Sequence, residues 1–245
     1  MEHDFSIVIK IILGIVIVLI LYHSIRVGML LYRGRGVYRS TIAFERKIPN
    51  PDSRILVAGD STAFGIGAGK PEESTAGRLG ALYPDAEISN ISKSGDRVVD
   101  TLTKLRGVSV GTDRYNLLLI QVGANDITHR TPLGELEKDL SDLLDVASEK
   151  SKQVIILHSA DVGTAPIFPE PIDWYLGRQS RMVRELYLRV TAEKKVTYVD
   201  LFQEGTDDIF LKDVPRYYSV DHFHPSSEGY RVWFEKIEKV LNPLF

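Results

Sequence analysis

The sequence predicts an α/β fold: a three-layer α/β/α sandwich around a central, mostly parallel five-stranded sheet, preceded by a single N-terminal transmembrane helix. Three observations predict it. Five short runs rich in Val, Ile and Leu alternate with helical patterns from residue 54 onward. Each run is flanked by Gly, Asp, Asn or Ser, as buried parallel strands tend to be. Ahead of them stands one long apolar run, FSIVIKIILGIVIVLILY.

That run covers residues 5–22 and is interrupted only by Ser6 and Lys10. At about 1.5 Å per residue it reaches about 27 Å, enough to cross the hydrocarbon core of a bilayer. Lys10, near its start, can snorkel to the interface. No small-x-small cleavage site follows; the next residues are HSIRVGMLLYRGRG. A retained single-pass anchor is therefore expected rather than a cleaved signal peptide. Residues 1–50 hold seven Lys/Arg against three Asp/Glu, a balance of +4, which leaves −7 for the rest of a chain whose net charge is −3. Arg26, Arg33, Arg35 and Arg39 follow the span and can meet anionic lipid headgroups. By the positive-inside rule they favour a cytoplasmic soluble domain, with a periplasmic or extracellular one as the alternative. The acidic remainder argues against a nucleic-acid partner. The absence of cysteine excludes disulfides and thiolate metal sites.

RKIPNPDSR, residues 46–54, is polar with two prolines and reads as a linker. The expected organisation is a membrane anchor with a basic juxtamembrane linker over 1–49 and one soluble domain over 50–245. The chain's 245 residues, 44% of them hydrophobic, give that domain material for one good core. Strands are expected at 54–58, 87–91, 116–122, 153–158 and 196–201. Helices are expected at 72–82, 97–105, 132–150, 172–194 and 226–241. TPLGELEKDLSDLLDVASEK has the i, i+3/i+4 apolar spacing of a helix lying on a sheet. Strand alternating with helix implies a parallel sheet covered on both faces.

Ligands of open α/β sheets bind at the carboxyl ends of the strands. After the first strand come Gly59, Asp60 and Ser61; after the second, SKSG, ending at Gly95; after the third, GANDI, with Asn125 and Asp126. Just before the last helix stands DHFHPSSEG, with Asp221, His222 and His224. A serine hydroxyl becomes a nucleophile when a neighbouring histidine takes its proton and a carboxylate holds the imidazole in the right tautomer. Asp221 and His224, three residues apart, can supply both groups from one turn. The developing oxyanion needs fixed donors, for which the N–H groups of Ser61 and Gly95 and the amide of Asn125 are candidates.

These four blocks, in this order, resemble the SGNH, or GDSL-type, hydrolase superfamily. GDST is similar to its first block, SKSG to its second, GANDI to its third, and DHFHP carries its Asp-x-x-His-Pro pattern. The resemblance spans residues 54–245. It implies a flavodoxin-like SGNH fold, with Ser61 as nucleophile, Asp221 and His224 completing the triad, and Ser61, Gly95 and Asn125 as the oxyanion hole. It also implies action on small-molecule or lipid esters or thioesters without a metal or organic cofactor. Thr62 stands where the family name has Leu, at a position that varies in the family. The nucleophile lacks the G-x-S-x-G spacing of other serine hydrolases.

Competing readings of the same residues are weaker. His222 and His224 could ligate a metal, but no Cys and no further His/Asp cluster has ligand spacing. GIGAGK, residues 65–70, fails as a phosphate loop, since Phe64 occupies the first glycine position and Pro71 that of the Ser/Thr. It reads instead as a flexible loop bordering the nucleophile. Asp60 is expected as a turn residue, Asp126 as a support of the Asn125 loop, and His158 as structural. Residues 160–178 carry three prolines and read as a loop or lid over the site, where Ile167, Phe168 and Trp174 suit either an acyl chain or the core. The sequence thus predicts a membrane-anchored serine esterase. An acyltransferase or deacetylase on a sugar or lipid hydroxyl, or a non-catalytic module of an envelope assembly, is the alternative.

Overall fold

The computed structural model describes residues 2–111, 113–158, 160–203 and 208–241, with side chains from residue 7 onward. Helix α1 (Glu2–Ser40) opens the chain. The sheet strands are β1 (Ser53–Gly59), β2 (Ala86–Asn90), β3 (Tyr115–Gln121), β4 (Ser151–Leu157) and β5 (Thr197–Tyr198). They lie in the order β2-β1-β3-β4-β5, and every pairing is parallel. The helices between and after them are α2 (Ser61–Phe64), α3 (Thr75–Leu82), α4 (Val98–Gly107), α5 (Ala124–His129), α6 (Leu133–Lys150) and α7 (Ile172–Lys194). Then follow α8 (Ile209–Lys212), α9 (Val214–Tyr217) and α10 (Ser227–Glu238).

Strand alternation divides the interior into two layers. Leu56 and Ala58 of β1, Leu118 and Ile120 of β3, and Val154 and Ile156 of β4 pack with Leu102 of α4, Leu140 of α6 and Leu186 of α7. Their neighbours Ile55, Val57, Leu117, Leu119, Ile155 and Leu157 point the other way, against Leu79 of α3 and Trp233 and Ile237 of α10. Because both faces are covered, the central strands β1, β3 and β4 carry continuous apolar runs rather than alternating ones. Each fully buried Val, Leu or Ile among them contributes about 1.5–3 kcal/mol.

The expected strands and helices form, with local departures that have physical causes. The helix expected over 72–82 is broken: residues 71–73 make one 3₁₀ turn, and Ser74 then caps α3 by accepting from the Gly77 N–H at 3.1 Å. Strand β5 keeps two residues of the expected six. Beyond it Asp200 turns away to accept from Arg184 at 2.7 and 2.9 Å and from the Phe202 N–H. The 65–70 stretch is not a loose loop around Ile66, which is buried and whose carbonyl accepts from the Tyr230 hydroxyl at 2.7 Å. Arg46, in the expected linker, pairs with Ile88 through the backbone and donates to the carbonyls of Gly80 and Ala86.

Helix α1 does not stop where the apolar run ends. Residues 7–22 are exposed all round, and the helix is long and apolar enough to cross a membrane. Past Tyr22 a stripe at three- and four-residue spacing turns inward: His23, Arg26, Val27, Leu30, Gly34 and Val37 are buried or half-buried. Leu30 joins the core layer of α3 and α10, and the Arg26 guanidinium donates to the Pro166 carbonyl. The second half of the helix is therefore packed on the domain.

Candidate active site

Strand β1 ends at Gly59, and Asp60 caps the four-residue helix that follows. One carboxylate oxygen of Asp60 accepts from the Thr62 N–H at 2.8 Å and from the Thr62 hydroxyl at 2.7 Å. Ser61 thereby becomes the first residue of α2. Its N–H takes no hydrogen bond among the described residues, as expected at a helix start. The second Asp60 oxygen is buried without a partner. Burial pushes this carboxyl up to about 6, against the lowering influence of Thr62 and of the nearby His224.

The turn before α10 delivers the other groups. The Ser219 N–H donates to the His224 carbonyl at 2.8 Å, and His222 closes the turn in a left-handed conformation, φ 56°. One oxygen of Asp221 accepts from the N–H groups of Phe223 and His224, both at 3.0 Å. The other meets His224 Nδ1 at 2.6 Å, and His224 Nε2 lies 2.8 Å from Ser61 Oγ. All three side chains are buried. Burial opposes ionisation of Asp221, but the hydrogen bonds and charge of His224 and the two backbone N–H groups outweigh it and hold the carboxyl below its ordinary value. An ionised Asp221 can only accept, so the Nδ1 proton faces it and Nε2 is left as acceptor toward the serine hydroxyl.

Asn125 sits on α5, after β3, and donates through Nδ2 to the Asp96 carbonyl at 2.9 Å. Asp126 joins the same two loops, accepting from the Val98 N–H at 3.0 Å and the Thr131 hydroxyl at 3.1 Å. Gly95 is exposed at φ +91°, in the region that favours glycine, and a Cβ there would meet nothing within 4 Å. Its turn is tied to β1 by the Lys93 N–H, which donates to the Gly59 carbonyl at 3.0 Å. Behind Ser61 and His224 lies a cavity of about 40 Å³ walled by Phe210, Tyr218 and Trp233.

His158 belongs elsewhere. It is buried at the end of β4, its Nδ1 is 2.6 Å from the Tyr198 hydroxyl, and burial pushes the imidazole down to about 4, so it stays neutral. His224 has both ring nitrogens committed to Asp221 and Ser61, and among the described residues no three His, Cys, Asp or Glu gather in a metal-ligating group. Two further residues reach the site from α1. The Tyr38 ring packs edge-on against His224, centroids 5.3 Å apart, with its hydroxyl 3.5 Å from Nδ1. Gly34 lies so close to Asp221 that a Cβ there would be 2.9 Å from the Asp221 Cβ. The only trace of this in the sequence is that apolar residues continue at helical spacing beyond Tyr22.

The sequence model of the GDSL-like lipase/acylhydrolase family matches residues 57–232. No curated protein sequence matches the chain. Among solved structures it is similar to a member of the lipolytic protein G-D-S-L family from Veillonella parvula, at 20% identity and a TM-score of 0.61, over 77% of this chain and 97% of that one. It is similar also to the psychrotrophic esterase EstA from Pseudoalteromonas, at 18% identity and a TM-score of 0.54, over 77% and 96% of the two chains. For the extracellular lipase from Streptomyces rimosus the figures are 16%, 0.59, 77% and 100%. At these identities the likeness is one of fold.

Proposed function

The chain belongs to the GDSL-like lipase/acylhydrolase family, and on that premise we propose that it is a membrane-anchored serine hydrolase of carboxylic esters or thioesters. The observation that carries this reading is the unbroken hydrogen-bond chain from Asp221 through His224 to Ser61, at 2.6 and 2.8 Å. Ser61 Oγ attacks the carbonyl carbon while His224 Nε2 takes its proton. Asp221 keeps the ring in the required tautomer and stabilises the imidazolium. Charge gathers on the carbonyl oxygen, which the N–H groups of Ser61 and Gly95 and the Asn125 amide receive. Asn125 has two amide hydrogens and spends one on Asp96, leaving one for this role.

Collapse of the tetrahedral intermediate expels the alcohol or thiol, which leaves with the proton from His224. Water then attacks the acyl-serine, giving its proton to His224; the acid departs as Ser61 Oγ recovers that proton. A sugar or lipid hydroxyl in the place of water would make the same site an acyltransferase. Residues 5–22 serve as a retained membrane span, supported by the exposure of residues 7–22 and by the packing of the rest of α1 on the domain. By the positive-inside rule the arginines after the span favour the cytoplasmic side for the domain, with a periplasmic or extracellular domain as the alternative.

The Pseudoalteromonas esterase is described as inhibited by monoethylphosphonate, and phosphonate chemistry tests this chain directly. A fluorophosphonate should add once, to the peptide holding Ser61, and not to Ser61→Ala protein. Labelling that survives in Ser61→Ala overturns the assignment.

A further inference from the structure

We propose that the substrate is a lipid ester of the bilayer itself, whose acyl chain lies in a groove between α1 and the 167–172 loop and so reaches Ser61 from within the membrane. This rests on the hydrolase reading above. The groove has a volume of about 850 Å³, inside the range of about 300–1,000 Å³ typical of ligand sites. Its outer end is walled by Val16, Leu19 and Ile20, which belong to the apolar run that spans the bilayer. Its inner end is walled by Tyr38, Asn125 and Phe223, and Tyr38 touches His224. From Val16 to Tyr38 the helix runs about 33 Å at 1.5 Å per residue. A mainly apolar passage, with Glu170 on its loop wall, thus runs from membrane depth to Asn125 and to Tyr38 beside His224.

The passage is held in shape from both sides. Leu30 is buried in the domain core, and Arg26 donates to the Pro166 carbonyl at the start of the facing loop. Ile167 and Phe168 present the loop's apolar side to the groove. Ile172, on its rim at the start of α7, is 48% exposed, and Trp174, two residues further along α7, is 65% exposed, as suits a bilayer interface, where tryptophan is favoured. His23, midway along, has a buried Nδ1 without a partner, a polar atom that a lipid glycerol or headgroup oxygen would satisfy. A water-soluble short-chain ester would use none of this.

The test uses full-length protein in phosphatidylcholine vesicles. Ser24, exposed on the groove wall, is replaced by Trp to fill it; Val18, exposed on α1 away from the groove, is replaced by Trp as control. The ratio of kcat/KM for p-nitrophenyl palmitate to that for p-nitrophenyl acetate should fall about tenfold or more in Ser24→Trp. It should stay at the wild-type value in Val18→Trp. An unchanged ratio in Ser24→Trp overturns the groove. A second measurement is independent of turnover: Ser61→Ala protein is irradiated with a phosphatidylcholine bearing a diazirine at the end of one acyl chain. Adducts should fall on both walls, residues 16–31 and 167–172; adducts on α1 without the loop overturn the proposal. Should both walls be labelled while wild-type protein cleaves neither ester, the hydrolase reading fails and the lipid groove stands.

Discussion

Ser61, His224 and Asp221 are expected to act as one unit, so their substitutions should cost far less together than the sum of their separate losses. Ser61→Ala or His224→Ala should lower kcat by several orders of magnitude, and Asp221→Asn somewhat less. Ester hydrolysis by the purified variants checks this. Asn125→Ala should lower kcat about 10²–10³-fold with KM little changed if, as proposed, its donor serves charge that exists only in the transition state. A pure KM effect would assign Asn125 to ground-state binding. Asp60 gives a different kind of prediction. Its folded-state carboxyl is raised from 3.8 to about 6, so ionising it penalises the native state. Stability is free of the penalty below about pH 4, loses ground as pH rises through 6, and carries the whole penalty above. Asp60→Asn keeps the capping acceptor and removes the titration. The stability difference between the two proteins should therefore change by up to about 3 kcal/mol between pH 4 and 7, moving in favour of the variant as pH rises. The amide left unpartnered in the variant shifts the whole curve but not its slope, so denaturant unfolding across that range separates the two effects.

At the level of elements, α1 is the least expected contributor, and two of its glycines distinguish its roles. A Cβ on Gly34 meets Asp221, whereas one on Gly36 meets nothing within 4 Å. Gly36→Ala should raise stability by about 0.5–1 kcal/mol through helix propensity and leave kcat unchanged. Gly34→Ala should displace α1 or the Asp221 turn and lower kcat. Thermal unfolding in detergent, paired with kinetics, should show these opposite signs; equal effects would mean that α1 does not rest on Asp221. The other elements were largely legible from periodicity, because strands with both faces covered read as continuous apolar runs and α6 carries its stripe at 3.6-residue spacing. The break at Ser74 and the shortened β5 were not. Each depends on a competing hydrogen bond, Ser74 to Gly77 and Asp200 to Arg184, that local pattern does not weigh.

For the whole molecule, sidedness is the open quantity with a direct measurement. Four arginines, Arg26, Arg33, Arg35 and Arg39, follow the proposed span, and Lys10 lies near its start. A reporter fused after Phe245 should therefore give fluorescence as a GFP fusion and no activity as an alkaline phosphatase fusion. The reverse pattern would put the domain outside. Either face is compatible with lateral entry of a lipid along α1, since the groove opens toward whichever leaflet the domain adjoins.

The order of strands and helices, the apolar run, the three polar blocks at strand ends and the fourth before the last helix were determined by the sequence alone, since each depends on neighbours a few residues away. The meeting of Ser61 with His224, 163 residues along the chain, was decided by the tertiary structure, although the resemblance of the blocks anticipated it. The use of α1 as a wall of the site was not anticipated at all. Hydropathy marks a helix as apolar but does not tell a side facing lipid from a side facing protein, because both are equally free of water. Only the packing of Leu30 into the core, and of Gly34 and Tyr38 onto Asp221 and His224, makes that distinction.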